Sequence, residues 1–161
     1  MASRFSFSPL DAEFPTSNFP ALLYVNNRPV LAFDASTSES CYFSGKIPQG
    51  WTGTKTAVVT FLMASDTNTA HTVEFGVSVE AITSGDAVDL DAGDSFDTEN
   101  VANTTIPGTA GYAKDLSITL TNNDSSAAGD YARFKLDRNT AGTDDATGDC
   151  YVLSVEIRDG A

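Results

Sequence analysis

Among its 161 residues the chain has a single histidine, His71, a single tryptophan, Trp51, and only two cysteines, Cys41 and Cys150. One histidine leaves little material for acid–base or nucleophilic chemistry. His71 opens an apolar strand pattern and has no serine or cysteine nucleophile motif beside it. The phosphate-binding, dinucleotide-binding and zinc-protease signatures GxxxxGK[ST], GxGxxG before a helix and HExxH are all missing. The two cysteines have no zinc-ligand spacing, and although one disulfide between them is conceivable, the expectation is two reduced, buried thiols.

Basic residues are scarce as well. Nine Lys and Arg face 22 Asp and Glu, for a formal net charge of -13 and a pI near 4.1. Such a field repels phosphate backbones and anionic lipid head groups, which argues against nucleic acid and membrane as partners. The acidic residues are dispersed along loops, as on a well-solvated surface. No stretch approaches the roughly 18–20 apolar residues of a membrane span, and MASRFSFSPLDAEF holds no signal-peptide core. The expectation is a protein made and kept in the cytoplasm or released by lysis.

What is present is a strand pattern. With 41% hydrophobic and 19% charged residues, the chain has the composition of one globular domain able to bury a real core. Residues 1–20 carry Phe5, Phe7, Phe14 and Phe19 among Pro9, Pro15 and Pro20, too aromatic for disorder and too broken for a helix. They read as an extended arm whose rings cover either the chain's own sandwich edge or a neighbouring subunit. Residues 21–161 read as the domain proper. ALLYV and VLAFD flank NNRP, where Asn26 and Asn27 suit a tight hairpin turn. CYFSGKI follows, then KTAVVTFLMAS, which is apolar on both faces and so belongs in mid-sheet or under a subunit contact.

HTVEFGVSVEAI alternates, with Val73, Phe75, Val77 and Val79 toward a core and Glu74, Gly76, Ser78 and Glu80 toward water. The long acidic segment 83–105 reads as a crossover loop between sheets. Three strands close the chain, with inward sets Leu116, Ile118 and Leu120; Ala132, Phe134 and Leu136; and Tyr151, Leu153, Val155 and Ile157. About eight strands without an amphipathic helix or an internal repeat predict an all-β antiparallel sandwich of jelly-roll type.

Three constellations carry candidate chemistry. Asp86, Asp89, Asp91 and Asp94 in GDAVDLDAGD are hard oxygen ligands around a flexible glycine and suit calcium, although the run lacks the terminal Glu of an EF-hand loop. Asp144, Asp145 and Asp149 form a second, weaker cluster. Trp51, with Tyr42, Tyr112 and Tyr131, supplies rings that stack on sugars or pack at a subunit contact. Paired carboxylates for glycoside cleavage are a matter of spacing in three dimensions, and abundance of Asp and Glu weakens that signal.

The run VLAFDASTSESCYFSGKIPQGWTG, together with TIPGTAGYAKDLSITLTN and AAGDYARFKLDRNTAGTDDATGDCYVLSVEIRD, resembles small virion proteins of tailed bacteriophages. The matching positions are Phe33, Asp34 and Pro48, then Arg133, Arg138, Asp149, Ile157 and Arg158, over roughly residues 29–159. The resemblance implies a non-enzymatic jelly-roll protein on the capsid surface, a homotrimeric decoration or cement protein that clamps the major capsid protein. The alternative is a carbohydrate-binding or tail-associated receptor-binding module.

Overall fold

The computed structural model describes residues 1–160. Its strands are β1 (Ala2–Phe7), β2 (Ala21–Val25), β3 (Arg28–Phe33), β4 (Glu39–Lys46), β5 (Thr56–Met63), β6 (Thr72–Ile82), β7 (Asn100–Thr105), β8 (Lys114–Thr119), β9 (Tyr131–Arg138) and β10 (Cys150–Asp159). Among the described residues the only helical element is one 3₁₀ turn, Pro9–Asp11, capped by Ser8. The larger sheet runs β2-β3-β10-β5-β8, with β1 also on β10, and the smaller runs β4-β9-β6-β7. All pairings are antiparallel. From β3 to β10 every connection except β6–β7 crosses between the sheets, which is the jelly-roll winding of a sandwich.

Alternation places one face of each strand in the interior. Leu31 and Phe33, Cys41 and Phe43, Val59 and Phe61, Phe75 and Val77, and Phe134 and Leu136 form one continuous core. The doubly apolar β5 sits between β10 and β8, as its composition requires. Both cysteines lie in this core as free thiols, and burial raises the pKa of each well above the usual thiol range.

The segment expected to be an arm is part of its own sandwich. β1 pairs with the C-terminal half of β10 (Phe7 opposite Val155, Ala2 opposite Asp159) on the edge whose other half pairs with β3. The Phe7 ring is buried against Phe43 at a centroid distance of 5.1 Å, and Phe5 stacks on Phe7 at 5.5 Å. Gly45 makes this possible, because a Cβ there would stand 2.7 Å from the Phe5 ring. Residues 8–18 then cross to the other sheet, where Glu13 bridges Tyr42 and the Ser40 amide donates to the Asn18 carbonyl. Phe14 and Phe19 touch each other, centroids 5.6 Å apart, and stay exposed.

Three strand readings change in the fold. The last residues of the expected crossover loop form β7, paired with β6. Glu74, Gly76, Ser78 and Glu80 face outward from β6 yet are buried, because the segments 83–99 and 139–149 lie over them. In β10 a register shift against β5 between Val152 and Ser154 inserts Leu153 as an extra residue. The inward set therefore becomes Cys150, Val152, Val155 and Ile157, and Tyr151 and Leu153 turn to the outer face.

Candidate functional site

A groove of about 360 Å³ opens on the outer face of the larger sheet. Its floor is Leu62 of β5 and Leu153 of β10, the latter delivered there by the bulge. One wall is the β2–β3 hairpin with Val25, Asn26 and Arg28; the other is the loop before β8, with Gly111 and Ala113. Asn26 and Asn27 both adopt the left-handed conformation (φ 45° and 64°) that a two-residue hairpin turn needs, so the asparagines set this wall's position. The opposite loop is tied down by the Gly111 amide, which donates to the Met63 carbonyl at 3.0 Å with Gly111 at φ 81°. Between Gly111 and Ala113, Tyr112 stands 65% exposed beside the groove.

The chemistry of this groove is mixed. An apolar floor offers dispersion and hydrophobic contact, and the exposed phenol of Tyr112 stands on the loop that forms one wall. The Asn26 amide and the Arg28 guanidinium supply donors at the hairpin wall. The Arg28 contact to the Asn26 carbonyl is 3.5 Å, too long to hold the guanidinium in place. Arg28 matters more in this chain than in most, since only nine cations oppose 22 acids.

A second depression, about 480 Å³ and shallower, is lined by Gly53, Thr54 and Lys55 and by Thr119, Leu120, Thr121 and Asn123. Its polar groups are largely occupied. The Leu120 amide donates to the Lys55 carbonyl, and the Asn123 side chain donates to the Leu120 and Thr121 carbonyls.

The sequence-predicted residues are placed as follows. Trp51 is only 8% exposed; its indole N–H donates to Ser126 Oγ at 3.0 Å and Lys55 lies over its ring, so it caps the sandwich and offers no stacking face. Tyr42 is covered by the Arg133 guanidinium at 4.6 Å from its ring centre, and Phe96 lies 5.6 Å from the same guanidinium. Arg133 also donates to Asp94 at 2.8 Å and lies 3.6 Å from Glu80, pinning the acidic loop onto the smaller sheet.

Of the four aspartates expected to bind calcium, Asp86 and Asp89 are used within their own turns and Asp94 is engaged by β9. Asp86 accepts from the Thr83 amide, Asp89 from the Asp91 amide, and Asp94 from Arg133. Among the described residues no group of three or more His, Cys, Asp or Glu side chains is placed to hold a metal ion. In the second cluster Asp145 accepts from the Thr72 amide, and Asp144 forms a bidentate pair with Arg138.

Two titrating pairs stand outside the groove. On the smaller sheet Glu99 lies over Gly76, where a Cβ would clash with it. Burial pushes the Glu99 and Asp137 carboxyls above their ordinary range; the Asp137 charge adds to the rise at Glu99, while Lys135 at 3.2 Å restrains Asp137. Before β6, His71 Nδ1 meets Asp66 Oδ2 at 2.8 Å, a bond that raises the imidazole pKa. Burial alone would raise Asp66, but hydrogen bonds from the Asn68 amide, His71 and Thr147 outweigh it and hold Asp66 at about 2.

Sequence reasoning named Tyr112 but missed Arg28, Asn26, Leu62 and Leu153 as site residues. The available signal was an arginine beside an Asn-Asn turn in a chain short of cations. The two leucines gave none, because the bulge that turns Leu153 outward is visible only in the pairing with β5.

No family model and no curated protein matches the sequence. Solved structures do. A family 35 carbohydrate-binding module from an environmental isolate superposes with a TM-score of 0.57 at 11% identity, covering 98% of this chain and 98% of that one. A family GH115 4-O-methyl-α-glucuronidase with specificity for decorated arabinogalactans contains a region matching all of this chain, with a TM-score of 0.51 at 8% identity. This chain spans 18% of that enzyme. At these identities the likeness establishes the shared sandwich fold.

Proposed function

We propose that this chain is a non-catalytic carbohydrate-binding module that holds glycan in the groove between the β2–β3 hairpin and the Tyr112 loop. The observation that carries the reading is the groove's composition, an apolar floor of Leu62 and Leu153 with polar donors at Asn26 and Arg28, and beside it the exposed Tyr112 between the lining residues Gly111 and Ala113. A sugar ring has an apolar C–H face and a rim of hydroxyls, so it needs both kinds of surface at once. End-to-end superposition on a carbohydrate-binding module supports the same reading. It is preferred to a capsid decoration role because the first two aromatic rings of the expected arm, Phe5 and Phe7, are committed to the chain's own core.

Affinity electrophoresis through gels containing neutral or acidic plant and microbial polysaccharides tests the proposal. The wild-type chain is retarded by at least one of them, and Tyr112→Ala weakens that retardation by about tenfold, equivalent to about 1.4 kcal/mol of stacking. The circular dichroism of the variant stays that of the wild type, because Tyr112 is exposed. Retardation by none of the polysaccharides, or equal retardation of the variant, overturns the assignment.

A further inference from the structure

The five outer strand edges among the described residues are not treated alike. β1, paired with β10 alone, carries Arg4 and a register shift between Ser3 and Phe5. β4 is covered by the chain's own residues 13–18 through the Glu13–Tyr42 bridge and the Ser40–Asn18 bond. β7 (NVANTT) is polar, and β8 (KDLSIT) carries Lys114 and Asp115. β2 has none of these protections. Its sequence ALLYV contains no charge, glycine or proline, all five residues are exposed, and it pairs with β3 without a bulge. A regular, apolar, uncovered edge presents unpaired N–H and C=O groups to any strand that reaches it.

We propose that β2 pairs antiparallel with β2 of a second copy of this chain, joining the two larger sheets into one. Charge permits this occupant at this edge, and the strand's self-complementarity selects it. Two chains of net charge -13 repel over most of their surfaces, but residues 14–33 contain no Asp or Glu and one cation, Arg28. The strand is also self-complementary. A two-fold axis through Leu23 sets Leu22 opposite Tyr24 on one face and Ala21 opposite Val25 on the other, pairing aliphatic with aromatic and aliphatic with aliphatic. A closed two-fold contact of this kind uses the same patch on both copies. Because that axis runs perpendicular to the sheet, both outer faces remain on one side.

A contact five residues long spans about 17 Å and buries less than the roughly 1,200 Å² of a standard interface, so association is weak and concentration-dependent. The inference does not depend on the groove binding glycan.

Sedimentation velocity from about 5 µM to about 1 mM is the test. The wild-type mass rises from 17.0 kDa toward twice that value. Leu23→Lys, which sets two like charges directly opposite, stays at the single-chain mass across the range while its circular dichroism remains that of the folded wild type. Leu23→Cys oxidises to a cross-linked dimer faster than Ser117→Cys on the β8 edge. A wild type that remains a single chain at all concentrations overturns the proposal. So does a trimeric mass, a dimer that survives Leu23→Lys, or equal cross-linking at both cysteine positions.

Discussion

Replacing Arg138 by methionine tests the reasoning about the interior most severely. Arg138 ends β9 at an inward position and is completely buried, as is its partner Asp144 at 1% side-chain exposure. All five guanidinium N–H groups are used: Nε and Nη2 donate to the two Asp144 oxygens at 2.9 and 3.0 Å, Nη1 donates to the Phe33 and Gly148 carbonyls, and the second Nη2 hydrogen goes to the Ala146 carbonyl. One side chain therefore ties the end of β3 and the 139–149 loop to the core. Methionine fills similar volume but leaves the Asp144 carboxylate buried with two backbone donors, the Glu74 and Ala146 amides, and strands three carbonyls. Breaking a buried pair from one side costs about 3–5 kcal/mol, a large share of the roughly 5–15 kcal/mol that holds a domain together. With a urea m-value of about 2 kcal/mol/M, the unfolding midpoint falls by about 2 M. Adding Asp144→Asn removes the stranded charge and recovers part of the loss, so the double variant is more stable than additivity predicts. A loss below about 1 kcal/mol, or a strictly additive double variant, refutes the argument.

Three further outcomes are expected. His71 is raised by its bond to Asp66, so its contribution to stability is complete below its unfolded pKa of about 6.5 and is lost as pH rises through the higher folded value. Asp66, held at about 2, contributes above about pH 3.9 and loses that contribution on acidification toward 2. His71→Asn therefore flattens the decline in urea midpoint above pH 6.5, and an unchanged decline assigns it elsewhere. Trp51→Phe deletes one buried hydrogen bond to Ser126, lowering stability by about 1–2 kcal/mol in denaturant titration while leaving polysaccharide retardation intact; lost retardation would place Trp51 in the binding face. Phe7→Ala empties a core site beside Phe43 and costs about 3–5 kcal/mol by urea titration, whereas a loss under 1 kcal/mol would mean that the ring contributes little to this core.

The residue pattern alone determined the all-β class, the central place of the doubly apolar β5, the Asn-Asn hairpin, and the inward faces of β8 and β9. Each of these follows from local period, composition or turn chemistry, which a strand carries wherever it is placed. Tertiary structure decided the rest. β1 was illegible because its rings lie over Gly45 of the opposite sheet, a contact between residues about forty positions apart. The outward residues of β6 are polar and yet buried, since loops distant in sequence supply Ser95 and Thr143 as hydrogen-bond partners to Glu80 and Glu74. Arg138 reads as a surface charge on an alternating strand until five acceptors from two segments, the end of β3 and the 139–149 loop, converge on it. The groove has the same origin: Leu62, Leu153, Arg28 and Ala113 meet only because β10 bulges by one residue between β3 and β5, and a one-residue shift turns side chains to the other face of a sheet.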